Sequence, residues 1–327
     1  MNTNPLITQI QIEMNKQTEL RNELHGHHKK QGVIFFIFIA IAVLFLFFSP
    51  WTWLQVVGLV GSFLLGVFFV IVYSTKHNIG EKETNFQNDY KHKIIEPILK
   101  QSFGTDKVTL WTHYGDDPKD RPYDGLTVLR NSKLFAIGNE CGVDDETLVQ
   151  YKGKNISFFD VSNAFRSGSG EDETYIPIFH GQVCVVPISK KVDTPVRIVD
   201  ENYKERLTTE VRRNKTVYMS GKNKNTDKAS IHTENPEFDK AFNIFCDNEA
   251  SAFYVLTPQY METLLQLRNN MHRKMIISII GNLMYVGFYT EVDMFEADFK
   301  NPLPAQELYL KTCNEIYPIK LLAEAVI

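Results

Sequence analysis

The sequence predicts an α+β soluble domain, with a mixed and largely antiparallel sheet and packing helices, tethered by an N-terminal transmembrane helical hairpin. Three observations lead to this prediction. No charged residue occurs between Lys30 and Lys76. Short runs of β-branched and aromatic residues follow after residue 100, and they do not alternate regularly with helical segments, which favours α+β over α/β. The 327 residues carry a net charge of −4, which excludes a strongly basic nucleic-acid-binding protein.

Two apolar runs predict the hairpin. Val33–Phe48 contains only apolar residues, and Leu54–Tyr73 is interrupted among polar side chains only by Gln55 and Ser62. About 20 helical residues cross the apolar part of a bilayer. Pro50 between the runs suits a helix–helix turn. We therefore predict transmembrane helices at about 32–50 and 53–74, with a re-entrant hairpin as the alternative.

Basic residues predict the orientation of the hairpin. They flank both apolar runs, and the short connection between the runs contains none. The positive-inside rule therefore predicts a hairpin in the cell (inner) membrane with both termini in the cytoplasm. The expected organisation is a polar juxtamembrane arm at 1–30, the hairpin at 31–75 and a cytoplasmic domain at 81–327. The basic flanking residues are Arg21, Lys29, Lys30, Lys76, Lys82, Lys91 and Lys93.

Small residues follow one stripe of the second apolar helix. Gly58, Ser62 and Gly66 are spaced by four residues, which allows another helix to approach closely in lipid. The stripe predicts a membrane packing face, either for dimerisation or for the first helix of the same chain. The absence of intramembrane charges argues against a transporter. An oligomeric pore lined by backbone or by Gln55 is still an alternative.

The soluble part begins with a helical pattern and continues with strand-like runs. Apolar residues from Phe86 to Phe103 fall on one helical face. Short β-branched and aromatic runs then predict strands. These strands are predicted at Val108–Trp111, Leu134–Ile137, Ile156–Phe159, Val183–Ile188 and Val196–Val199.

The C-terminal part mixes helices and strands. Pro236 is expected to start a helix carrying Phe238, Phe242 and Phe245 on one face, and 252–256 is expected to form a strand. Thr257 and Pro258 suit the start of another helix. Two further predictions are a hairpin of 275–280 with 283–289 through a type II′ turn at Gly281-Asn282, and a final helix from about Ala305 with a break at Pro318.

Part of this region resembles a known family. The segments are Glu234-Asn-Pro-Glu-Phe-Asp-Lys-Ala-Phe242, Phe253-Tyr-Val-Leu-Thr-Pro258, Tyr260-Met-Glu-Thr-Leu-Leu265 and Ile178-Phe-His-Gly-Gln-Val183. Together they resemble a bacterial membrane family of unknown function, number 3137 among such domain families. The resemblance implies an N-terminal arm, two adjacent membrane helices and a soluble domain over most of residues 30 to 325. It implies no catalytic residues.

One loop has a composition that could suit a metal ion. His113 is followed by four carboxylates, Asp116, Asp117, Asp120 and Asp124. Carboxylate-rich loops can hold Mg²⁺ or Ca²⁺, and a histidine beside them could act as a general base. The spacing does not match a calcium loop, and the two prolines are typical of a surface turn. These aspartates are weak metal candidates.

Two other segments have a composition that could suit a ligand. The loop Arg166-Ser-Gly-Ser-Gly-Glu-Asp-Glu lacks the lysine of a phosphate-binding loop, so it predicts a hairpin turn, and no cofactor is expected. A basic stretch could touch anionic lipid, although an exposed loop is the simpler explanation of its composition. Its candidate residues are Arg212, Arg213, Lys215, Lys222 and Lys224.

The first functional hypothesis is an integral membrane protein that presents a cytoplasmic interaction module to a protein or lipid partner, or to a second copy of itself. One alternative is a membrane-bound enzyme with an unrecognised site, for which metal assistance at the aspartate loop is one option. The other alternative is an oligomeric pore. No catalytic motif favours the enzyme. The net charge of the domain excludes nucleic acid as the expected partner.

Overall fold

A computed structural model describes residues 4–48, 52–112, 116–168, 173–201, 231–271, 274–298 and 301–327. The chain divides into two compact units. The first contains Met1–Ile94 and Ala297–Leu308, and the second contains Ile95–Glu296 and Tyr309–Ile327. The helices are α1 (Pro5–Phe48), α2 (Thr52–Lys76), α3 (Ile79–Tyr90), α4 (Glu96–Phe103), α5 (Gly125–Ser132), α6 (Pro236–Ala241), α7 (Glu249–Val255), α8 (Pro258–Met271) and α9 (Ala305–Val326).

The first unit is dominated by two long apolar helices. The 44-residue helix α1 continues from its polar N-terminal part directly into the apolar run. Asn4 caps this helix, because its side-chain oxygen accepts a hydrogen bond from the backbone N–H of Leu6 at 3.1 Å. Helix α2 adds 25 residues. Both helices are long and apolar enough to cross a membrane.

The second unit is built on one open, eight-stranded antiparallel sheet. Its order is β1-β2-β3-β4-β8-β7-β5-β6, so β1 and β6 are the edge strands. The predicted fold class is confirmed. The strands are β1 (Val108–Trp111), β2 (Glu140–Tyr151), β3 (Lys154–Ser167), β4 (Thr174–Pro187), β5 (Val196–Asp200), β6 (Phe242–Cys246), β7 (Lys274–Ile280) and β8 (Leu283–Tyr289).

Both faces of the sheet are covered by apolar side chains. Consecutive residues of a strand point to opposite faces, and Phe158 and Phe159 of β3 are both fully buried. Phe158 packs beside Phe103 of α4, with 6.3 Å between ring centroids. Phe159 belongs to the cluster on the other face, in which Phe135 stacks on Phe179 at 4.3 Å. The sheet therefore forms the middle layer of this unit.

The predicted strand at 134–137 is wrong. Leu134, Phe135 and Ala136 are buried in the core, but the segment forms no strand. Their backbone is satisfied by side chains rather than by a neighbouring strand: Asn163 donates to the carbonyl of Ala136 at 2.8 Å, and Arg197 donates to the carbonyl of Leu134 at 3.0 Å. The apolar run is explained by burial of an irregular segment. The sequence pattern alone does not distinguish such a segment from a buried strand.

Two predictions near residues 236–256 are also wrong. The helix that starts at Pro236 ends at Ala241, and Phe242 begins β6 because it pairs with β5 at the sheet edge. Residues 252–256 are not a strand, since helix α7 covers Glu249–Val255. Asn248 caps α7 by accepting a hydrogen bond from the N–H of Ala250 at 3.0 Å, and this cap was missed.

Helix α9 runs through Pro318 without the predicted break. Proline removes one helical hydrogen bond, but Ile319, Leu322 and Ala323 beyond it are fully buried. Their packing holds the second half of the helix in place.

Other C-terminal predictions are confirmed. Helix α8 begins at Pro258, and the hydroxyl of Thr257 accepts a hydrogen bond from the N–H of Tyr260 at 3.3 Å. Strands β7 and β8 form the expected hairpin. Gly281 in its turn has φ +61°, as the first central position of a type II′ turn requires.

Gly181 tests the close packing of the sheet. This residue of β4 has φ +156°, and a Cβ there would overlap the carbonyl oxygen of Phe288 in β8. We expect Gly181→Ala to lower the free energy of unfolding by about 1–3 kcal/mol. Thermal unfolding of the full-length protein in detergent, followed by near-ultraviolet circular dichroism, measures this change. Gly142→Ala in β2 is the control, since nothing lies within 4 Å of its Cβ; equal melting temperatures for the two variants would contradict the expectation.

Candidate functional site

The small-residue face of α2 packs against α1. A Cβ on Gly58 would overlap the ring of Phe45, and a Cβ on Gly66 would lie 2.9 Å from Cβ of Phe38. Ser62 between them is buried. The face predicted from the sequence is therefore occupied within the hairpin itself, which is one of the two arrangements that the spacing allows.

Rings and one amide complete the helix contact. Phe38 stacks on Phe69 with 5.4 Å between ring centroids, and Phe35 contacts Phe63 edge-to-face at 5.9 Å. Near the turn, the side chain of Gln55 donates to the carbonyl oxygen of Leu46 at 3.1 Å. This bond gives a polar group of the apolar run a partner inside the chain, as a low-dielectric surrounding requires.

A polar cluster joins the three helices of the first unit. The Nδ1 atom of buried His27 in α1 shares a hydrogen bond with the hydroxyl of Tyr73 in α2 at 2.9 Å. Its Nε2 atom lies 3.4 Å from Oε1 of Glu23. The same carboxylate accepts a hydrogen bond from Nζ of Lys82 in α3 at 2.6 Å. His27 is therefore held inside this cluster rather than solvated.

His77 extends this cluster. Its ring lies 4.5 Å from the ring of Tyr73 and 4.8 Å from that of His27, measured between centroids. Desolvation, and then the positive charges of His27 and nearby lysines, lower the pKa of His77. The neutral imidazole is therefore favoured in the folded state. The contribution of His77 to stability is present above the ordinary histidine pKa and is lost as the pH falls below that value and through the lowered pKa.

Asp116, Asp117 and Asp120 of the loop each have different surroundings. Oδ2 of Asp116 accepts a hydrogen bond from the N–H of Thr112 at 2.8 Å. Oδ1 of Asp117 accepts one from the N–H of Lys119 at 2.9 Å and so caps a single 3₁₀ turn. Asp120 ends that turn and is exposed. Two of these carboxylates therefore stabilise local backbone.

Asp124 caps helix α5. Its carboxylate accepts hydrogen bonds from the N–H of Leu126 at 3.1 Å and from the hydroxyl of Thr127 at 2.5 Å. The bond from Thr127 is the largest cause that lowers the pKa of Asp124. In the part of the chain that the structure describes, no group of three or more His, Cys, Asp or Glu side chains is placed to hold a metal ion.

An ion pair fastens this loop to the sheet. Nε of Arg121 donates to Oε2 of Glu146 at 2.8 Å, and a second guanidinium nitrogen bonds the other carboxylate oxygen. Glu146 is fully buried and Arg121 is 28% exposed. The hydrogen bond to Glu146 is the first cause that raises the pKa of Arg121. The guanidinium also lies 4.9 Å from the ring centre of Trp111 at the end of β1. This arginine therefore connects the loop to both β1 and β2.

Two sequence candidates lie outside the described residues. His113 is one, and the basic stretch with Arg212, Arg213, Lys215, Lys222 and Lys224 is the other. The lipid-facing role of that stretch therefore stays a prediction.

The C-terminal part of the chain has a family match. Residues 177–326 match the family model of DUF3137, a protein of unknown function. The resemblance noted from the sequence is thus confirmed for the region from β4 to the end of α9. No curated protein matches the chain. Among solved structures, the mycobacterial trehalose monomycolate transport factor A, TtfA, aligns with 11% sequence identity and a TM-score of 0.32, over 70% of this chain and 96% of that one.

The packing of the hairpin is tested by enlarging its glycines. Gly58→Leu and Gly66→Leu should push α2 away from α1, at a cost of about 1–3 kcal/mol. Cysteines at Ala42 and Ser62, which are both buried, report the approach of the helices by disulfide formation in a background without native cysteines. We expect the yield to fall several-fold. Gly61→Leu should leave it unchanged, because nothing lies within 4 Å of its Cβ; an equal loss in all three variants would contradict this packing.

Proposed function

We propose that the α1–α2 hairpin anchors this protein in a membrane, and that the sheet unit is a cytoplasmic interaction module for a protein partner. The observation that carries the proposal is the outward apolar surface of the two helices. Phe36 is 71% exposed, Phe47 79% and Val56 63%. Such side chains cost about 25 cal/mol for each Å² of apolar area that water contacts, and a bilayer removes this cost.

The charges at the ends of the helices support the sidedness. Lys29 and Lys30 precede the apolar part of α1, and Lys76 and Lys82 follow that of α2. The turn between the helices has no basic residue, so the positive-inside rule favours cytoplasmic termini. The sheet unit follows the second basic flank and would then be cytoplasmic as well.

Exposed apolar side chains on the sheet unit support an interaction role. Leu310 and Tyr317 of α9 are 51% and 45% exposed. They are seven residues apart, which places them on one face of the helix two turns from each other. Exposed aromatic and aliphatic groups on one face are typical of protein-binding surfaces. We therefore expect the partner to contact this face, called here the α9 surface.

Photo-crosslinking in cells tests the proposal. A photoreactive phenylalanine analogue is placed at Leu310, at Tyr317 or, as a control, at exposed Gln266 of α8. We expect one adduct of constant mass from the first two positions, in the membrane fraction, and none from the third. The adduct formed from position 310 should disappear with Tyr317→Asp, since a carboxylate at the centre of an apolar contact is poorly tolerated.

The controls separate the parts of the proposal. An adduct of twice the mass of the chain would identify a second copy as the partner, and no adduct at either α9 position would contradict the interaction role. A membrane-impermeant maleimide should label a cysteine at Thr52 in intact cells but not the native Cys246. The reverse pattern would contradict the sidedness and leave the α9 surface to be judged by the crosslinks.

A further inference from the structure

We propose that a pocket in the sheet unit binds a free medium-chain carboxylic acid, with its chain in the apolar interior and its carboxylate at the mouth beside Lys190. The pocket has a volume of about 240 Å³. It lies where the connection after β4, the junction of α7 and α8, the β7–β8 hairpin and the end of α9 meet. The proposal does not depend on the partner of the α9 surface.

Most of the pocket wall is apolar. Its walls include Ile188, Val255, Ile279, Met284 and Val326, of which the first four are buried. An apolar cavity of about 150 Å³ stays dry and binds benzene, which has six carbons. By the same proportion, about 240 Å³ accommodates about ten carbons. The interior therefore suits a single short acyl chain.

The mouth carries a cation. Lys190 lines the pocket, and its Nζ donates a hydrogen bond to the carbonyl oxygen of Tyr254 at 2.5 Å. The same ammonium lies 4.8 Å from the centre of the Tyr254 ring. Lys190 is partly exposed, and these two contacts fix the position of its ammonium. An ammonium has three donors in all, so it can still donate to a ligand. A ligand carboxylate at the mouth would meet a positioned cation.

Neighbouring backbone favours the same sign of ligand. Thr257 and Gln259 line the pocket at the start of the 14-residue helix α8. The N-terminal end of a helix carries partial positive charge, which favours a nearby anion. The cavity and Lys190 define the site, and this helix end adds to the preference for a carboxylate over a neutral head group.

The end of the chain closes one side of the pocket. The hydroxyl of Ser189 donates to the carbonyl oxygen of Ile327 at 2.9 Å, and its N–H donates to that of Val326 at 3.4 Å. Ala325 and Val326 thereby form part of the wall. Ala325 is partly exposed, so a larger side chain there should fill the pocket without disturbing the core.

A photoreactive probe tests this inference on the full-length protein in membranes. The probe is decanoic acid with a diazirine on its chain, and the labelled peptides are identified by mass spectrometry. We expect labelling of the segments at 188–190, 255–260 and 325–326, and competition by unlabelled decanoic acid. Label on residues 33–73 reports partitioning into lipid and serves as an internal standard.

Three variants and one analogue give the controls. Ala325→Phe should reduce labelling of the pocket segments about tenfold by occupying the cavity, and Lys190→Gln should reduce it about fivefold. Lys191→Gln should have no effect, because this exposed lysine does not line the pocket. The corresponding decanol probe should label the pocket about as weakly as the acid labels the Lys190→Gln variant.

Three results would overturn the proposal. One is labelling confined to residues 33–73. Another is pocket labelling that Ala325→Phe leaves unchanged while the variant keeps the wild-type melting temperature. The third is equal labelling by the acid and alcohol probes, which would remove the carboxylate from the proposal.

Discussion

The apolar side chains that point outward from α1 and α2 impose the constraint on which the first unit depends. Water cannot solvate such a surface without a large cost, and a bilayer cannot provide hydrogen bonds to backbone groups. Both demands are met by two uninterrupted helices whose backbone bonds are internal. The contact between the helices must then come from close packing, which Gly58 and Gly66 permit against Phe45 and Phe38. Apart from buried Ser62, the polar contacts lie at the two ends of the apolar runs: Gln55 bonds near the turn, and the His27 cluster lies at the opposite end.

This constraint is visible in sequence because it acts on every residue of a long segment. Forty-five consecutive uncharged residues identify the hairpin without knowledge of any contact. The helix of α8 and the β7–β8 hairpin were predictable for a related reason, since their caps and turn residues are adjacent in sequence. The strand predicted at 134–137 failed because the backbone of this segment bonds to the side chains of Asn163 and Arg197, which are distant along the chain, rather than to a neighbouring strand.

The candidate sites were less predictable than the fold. His27 and Tyr73 are 46 residues apart, and only the antiparallel helix pair brings them together. The pocket beside Lys190 is formed by four segments that are distant in sequence, so no local motif predicts it. Conversely, the aspartates of 116–124 form a conspicuous motif, yet Asp116, Asp117 and Asp124 act on nearby backbone groups. The composition shows that carboxylates are present there. It does not show that they accept hydrogen bonds from nearby backbone N–H groups, because that depends on the local backbone conformation.

The central claim is that the outward faces of α1 and α2 contact lipid while the inner face is closed. Nitroxide spin labels in liposomes test it most directly, placed at outward Val43 and Val57 and at buried Ala42 and Ser62. The account predicts that oxygen, which concentrates in lipid, relaxes the outward labels strongly, that an aqueous nickel chelate does not, and that neither reagent reaches the inner labels. Outward labels relaxed by the nickel chelate more than by oxygen would contradict it.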